Sequence, residues 1–183
     1  MGDAVSQTDC LRAEADARNQ GNAMNKKARR MAALLAVTAA YQAEPDWVFD
    51  PSCMTRIPDC HSLIEVLRHI KHGGPAWRNR TVTLVFSSPL NAWVRLYPIH
   101  DTDTPYFDFM YTREEPPRQV LCDVLRQYPQ CAFLDWSPRR LACIEAQGAD
   151  VELLADIIRY VAEVAWGECG TAVVAWYQEM GRA

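Results

Sequence analysis

Apolar positions along the chain change their spacing several times, and each change predicts an element. Over Asn25–Glu44, Met31, Leu34, Leu35, Thr38 and Tyr41 recur at three- and four-residue steps, one stripe of a helix that Pro45 ends. Prolines 45, 51 and 58 then predict an irregular connector anchored by Trp47 and Phe49. From Asp59 the stripe Leu63, Val66, Leu67, Ile70 predicts a second helix. Ser62 is placed to cap it, Glu65 completes a capping box, and Gly73 and Gly74 stop it.

The spacing then falls to two. In "RTVTLVFSS", Val82, Leu84 and Phe86 alternate with Thr81, Thr83 and Val85, which predicts a strand. "AWVRLYPI" and "YFDFMYT" predict two more. If they close as an antiparallel hairpin around "PIHDTDTP", Tyr97 faces Tyr106, Arg95 faces Asp108 and Trp93 faces Met110. Those six share one sheet face, with Arg95–Asp108 as a cross-strand ion pair. Val94, Leu96, Phe107 and Phe109 then share the other, and a slip of one residue would destroy that agreement.

"EEPPRQVLCDVLRQYP" predicts a helix with Pro116 and Pro117 in its first turn. "CAFLDW", the turn "SPRR" and "LACIEAQ" predict another hairpin. "DVELLADIIRYVAEVAW" carries the broadest apolar face, with Asp150 as N-cap. Gly167 and Gly170 break it, and "TAVVAWYQEM" is expected to be a short docking helix. The organisation expected is a polar segment 1–23, a helix plus connector over 24–58, an α+β core over 59–166 and a C-terminal helical segment over 167–183. The core has the order α-β-β-β-α-β-β-α. Hairpin-joined strands whose helices must cover one face imply a two-layer α+β sandwich on an antiparallel sheet of about five strands.

That element order, over about residues 60–166, resembles the type III secretion chaperone-like fold shared by class I effector chaperones and YbjN-type proteins. The resemblance implies a homodimer that holds extended partner segments in hydrophobic grooves, with no catalytic residues. The N-terminal extension and the extra C-terminal segment depart from the compact secretion chaperones.

The 183 residues suffice for one domain with extensions, and 49 % hydrophobic with 23 % charged is an ordinary globular balance. A net charge of −4 argues against nucleic acid as principal partner. No apolar run approaches the roughly 20 residues that span a bilayer. Seven cysteines without a C-x-x-C pair fit thiols packed in a reducing cytoplasm. Met24, followed by Lys26, Lys27, Arg29 and Arg30 and then an apolar run, has the outline of an export signal. Cleavage behind it would leave six cysteines, and an exported, disulfide-bonded binding protein. The apolar core Met31–Val37 is short for a signal, and the helix stripe is clean, so a docking helix is expected there. The opening Met-Gly-x-x-x-Ser matches a myristoylation pattern made unattractive by Asp3 beside the acceptor Gly2.

Candidate chemistry is sparse. Cys53, Cys60, His69 and His72, with His61 nearby, supply zinc-type ligands, although a step of seven positions from Cys53 to Cys60 is not a knuckle spacing. "HDTDT" at 100–104 resembles a phosphatase nucleophile loop, but Pro105 follows and the loop joins two antiparallel strands. No Walker, G-x-S-x-G, H-E-x-x-H or G-x-G-x-x-G motif occurs. Large rings on a nominally wet face imply a cover: the helix 25–44, the segment 171–180, or a second subunit. The reading that follows is a non-enzymatic, cytoplasmic, chaperone- or adaptor-like protein, dimeric, with no cofactor. It would bind another protein through Trp93, Arg95, Tyr97, Tyr106, Asp108 and Met110 and through the helix Val151–Trp166. The alternative is a small metal-dependent or thiol enzyme built on the Cys53–His72 cluster.

Overall fold

A computed structural model describes residues 50–86, 92–167 and 172–180. The helix expected over 25–44, the export-signal outline and the polar segment 1–23 lie outside the described residues. The described chain runs β1 (Thr55–Arg56), α1 (Leu63–His72), a 3-10 turn (Pro75–Asn79), β2 (Arg80–Phe86), β3 (Trp93–Leu96) and β4 (Tyr106–Met110). It continues through α2 (Pro117–Val120), α3 (Cys122–Gln127), β5 (Cys131–Ser137), β6 (Leu141–Ala146), α4 (Val151–Trp166) and β7 (Val173–Glu179).

All seven strands join one sheet in the order β1-β7-β2-β3-β4-β6-β5, and every neighbouring pair is antiparallel. The α+β class and the order of the central elements are as expected; the count of five strands is not. Two strands lie where the sequence pattern predicts other elements. Thr55–Arg56, in the proline-rich connector, pairs with Tyr177 and Trp176. The C-terminal segment is no helix: β7 lies between β1 and β2 and pairs along the whole of β2, from Arg80↔Glu179 to Phe86↔Val173. "VVAWYQE" has β-branched and aromatic residues with apolar positions on both faces, a pattern that a short buried strand shares with a helix. The vacant edge of β2 decides for the strand, because its N–H and C=O groups need partners. The single helix expected after Glu114 is also two, broken at Leu121.

The expected hairpin register holds, with Val94↔Phe109, Arg95↔Asp108 and Leu96↔Phe107. One face therefore carries Val82, Leu84, Val94, Leu96, Phe107, Phe109 and Ile144, all buried. Helices α1 and α4 close that face. Ser62 and Glu65 form the capping box of α1, and Asp150 caps α4 by accepting from the Leu153 N–H at 2.8 Å. Leu154, Ile157, Ile158 and Val161 of α4 enter the same core as Val66 and Leu67 of α1. Trp166 tilts against Phe86 and Phe109, and its Nε1–H donates to the Met110 carbonyl at 2.8 Å, locking the end of α4 to β4.

Candidate functional site

Because strand side chains alternate, the second face of the sheet is fixed by the first. It carries Thr83 of β2, Trp93 and Arg95 of β3, Tyr106, Asp108 and Met110 of β4, Cys143 and Glu145 of β6, Asp135 of β5 and Trp176 of β7. Tyr97 follows β3 in the same alternation. All six residues expected to form a binding surface share this face.

Its centre is drier than the sequence suggested. Met110 is 1 %, Asp108 7 % and Cys143 8 % exposed, whereas Tyr106 at the margin is 38 % exposed. Tyr97 and Tyr106 stack with ring centroids 4.5 Å apart. The expected Arg95–Asp108 ion pair does not form although the two residues are in register. Asp108 instead accepts a hydrogen bond from the Tyr97 hydroxyl at 2.8 Å, and Cys143 stands opposite it on β6. The Arg95 guanidinium lies 5.6 Å from the Trp93 ring centroid, and its buried Nε has no hydrogen-bond partner. An aromatic neighbour takes the place of the carboxylate as the arginine's contact.

Burial dominates the electrostatics of this centre. Burial, the nearby Asp108 carboxylate and its hydrogen bond push the Cys143 thiol up to about 12. Burial first, then the bond to Asp108, push the Tyr97 hydroxyl up to about 12. Both groups are held protonated at neutral pH, so neither is a ready nucleophile. Cys131, buried on the helix side of the sheet, is pushed up to about 11 by desolvation.

The metal constellation is not assembled. Among the described residues no three His, Cys, Asp or Glu side chains are grouped to hold a metal ion, although Cys53, Cys60, His61, His69 and His72 are all described. Cys53 is exposed ahead of β1. Cys60 precedes the α1 cap, where burial and then Glu65 raise its thiol. His69 packs edge-on against Trp77, centroids 5.2 Å apart. His72 is the last residue of α1. The "HDTDT" loop is likewise occupied by structural contacts. Lys71 Nζ donates to the Ile99 and Thr102 carbonyls, Arg78 pairs with Asp101 at 2.6 Å, and the Asp103 carbonyl accepts from the Gly148 N–H. The hollow beside it, between Lys71, Thr102, Asp150 and Leu154, has room for about 10 Å³, no more than one water.

Helix α4, the other surface expected to bind, turns its apolar residues inward. Its apolar stripe is spent on the core, and the face it leaves outward is polar, with Glu152 paired to Arg68 and Asp156 to Arg159. Trp176 is a member of the second face that sequence reasoning missed. Assigning "TAVVAWYQEM" to a strand would have found it, since Thr83 pairs with both Arg95 and Trp176. Among the described residues no helix is long and apolar enough to cross a membrane, and the five described cysteines are free thiols. Comparison with protein-family models, with curated proteins and with solved structures returns no significant match.

Proposed function

We propose that this chain is a non-enzymatic, chaperone- or adaptor-like protein that binds a segment of another protein on the second face of its sheet and works as a homodimer. The observation that carries the reading is the gathering of Trp93, Tyr97, Tyr106, Met110 and Trp176 on the sheet face opposite α1 and α4. Large rings combine apolar area with few rotatable bonds, which makes them effective anchors for a partner. Arg95 and Asp108 add polar groups that can fix orientation at the centre of such a patch. The protonated Cys143 and Tyr97 weigh against a catalytic use of the same surface. Free thiols at every described cysteine fit a reducing compartment.

Pull-down from the native host with the full chain, followed by mass spectrometric identification and titration of the purified partner, tests the reading. Trp93→Ala and Tyr106→Ala are expected to weaken that binding by about 1–2 kcal/mol each without unfolding the chain. Unchanged affinity in both variants would remove this face from the function. Light scattering is expected to give twice the 20.8 kDa chain mass, and a single-chain mass would remove the dimer.

A further inference from the structure

The strand registers line up one row of side chains across the whole second face. It runs from Arg56 of β1 through Trp176 of β7, Arg95 of β3, Asp108 of β4 and Cys143 of β6 to Asp135 of β5. The row is sorted by charge. Both cations lie in the half from β1 to β3, and both acids in the half from β4 to β5. Glu145 of β6, two positions from Cys143 on the same face, adds a carboxylate to the acidic half. Arg56, Arg95, Asp135 and Glu145 are not ion-paired among the described residues. Asp108 stands opposite Arg95 but accepts from Tyr97. The Arg95 Nε is therefore buried without an acceptor, which disfavours the face until something supplies one.

We infer that the segment of another protein bound on this face is itself charge-polarised. It presents a carboxylate side chain to Arg95, apolar residues to Trp93, Tyr97 and Tyr106, and a Lys or Arg to Asp135 and Glu145. The inference rests on the docking reading above and adds the partner's chemistry to it. Charge complementarity carries it. A carboxylate accepts from two N–H groups of one guanidinium at once, and Nε–H is one of the donors that such a fork uses. The partner's acid thus supplies the acceptor that Asp108 gives to Tyr97 instead. Trp93, in contact with the guanidinium, keeps it in place on the face. Strand spacing of about 4.8 Å puts Asp135 three gaps, about 14 Å, from Arg95. The partner's acid and base stand about that far apart, with the apolar residues between them. A segment docked in reverse would set its acid against Asp135 and Glu145 and its base against Arg95. Like charges then repel, as they do for a uniformly acidic or uniformly basic segment, so the charge sorting fixes direction as well as composition.

A phage-displayed library of random peptides, panned against the full chain, supplies the probe. Enriched peptides are synthesised and titrated against the unaltered chain and its variants. They are expected to share an acid and a base on either side of aromatic or aliphatic residues. Replacing the shared acid by Gln in the peptide should weaken binding to the unaltered chain about tenfold or more. In Arg95→Gln the same replacement should weaken binding no further, because the pair is already broken. The change on the peptide needs no variant of the protein, so it decides the matter even where Arg95→Gln fails to fold. Enriched peptides without an acid, or an acid whose replacement leaves the affinity unchanged, overturn the inference. A dimer by light scattering that falls to a single-chain mass in Arg95→Gln assigns the face to a second copy and also overturns it. Peptide binding that drops in Trp93→Ala and Tyr106→Ala but ignores the acid removes this inference and leaves the docking reading standing. Binding that ignores all three changes removes both.

Discussion

Tyr97, Asp108 and Cys143 show how one buried carboxylate organises a sheet face. Asp108 accepts from the Tyr97 hydroxyl, and burial first, then the nearby carboxylate, raises both Tyr97 and Cys143. Tyr97→Phe should cost about 1 kcal/mol of stability in urea unfolding, the low end for a bond to a charged acceptor because Tyr97 is half-buried. The same residues set an alkaline limit. Cys131, Cys143, Tyr97 and Tyr111 all have folded-state values raised, to about 11 or 12. A raised group stabilises the fold while its unfolded counterpart is still protonated, and that stability is lost as pH climbs through the folded value. The urea midpoint should therefore fall between about pH 9, where unfolded thiols ionise, and pH 12. The fall should be shallower in Tyr97→Phe, and an alkaline slope equal to that of the unaltered chain would contradict the assignment. Gly73 is a second constrained residue. A Cβ there would come within 2.3 Å of Trp77 Nε1 and 2.5 Å of the His69 carbonyl oxygen, so Gly73→Ala should destabilise by about 1–3 kcal/mol through overpacking.

Among the elements, α1 and α4 are the ones whose ends were legible in advance. Their stripes have one period, their caps are local, and Ser62, Glu65 and Asp150 need no distant partner to act. Ser62→Ala should cost about 1 kcal/mol, read by thermal or urea unfolding. β7 is the opposite case. Nothing between Val173 and Glu179 separates strand from helix until β2 and β1 stand beside it. A chain ending at Gly170 should be insoluble or unfolded, because the loss strips β2 of its neighbour along its whole length. Near-normal solubility and stability of that truncation would argue for a dispensable tail. The edge at β5 is guarded differently. It carries a bulge between Phe133 and Asp135 and the Arg118 side chain bound to the Phe133 carbonyl. These features oppose edge-to-edge pairing, so a dimer is better sought elsewhere.

At the scale of the whole molecule, a seven-stranded antiparallel sheet is covered on one face by α1 and α4, and its other face is aromatic and polar in patches. Metal analysis of the purified full chain should find no stoichiometric zinc, since Cys53, Cys60, His69 and His72 are not gathered into a site; zinc lost in Cys60→Ala would contradict this. Thiol titration under denaturing conditions should count seven free thiols, and fewer would favour the exported, disulfide-bonded reading.

By itself the sequence determined what short-range physics determines: the capped helices α1 and α4, the strands β2 to β6, and the hairpin register that puts Tyr97 opposite Tyr106 and Arg95 opposite Asp108. Period, caps and turn residues act within a few positions, and a register error would have turned Phe107 and Phe109 out of the core. Only the tertiary structure decided what depends on partners far along the chain. It placed the last strand between the first two and scattered the Cys/His cluster. It spent the α4 stripe on the core, and it gave the Asp108 carboxylate to Tyr97 rather than to Arg95. Each of those outcomes is a competition between groups separated by many residues, and sequence spacing carries no information about which neighbour wins.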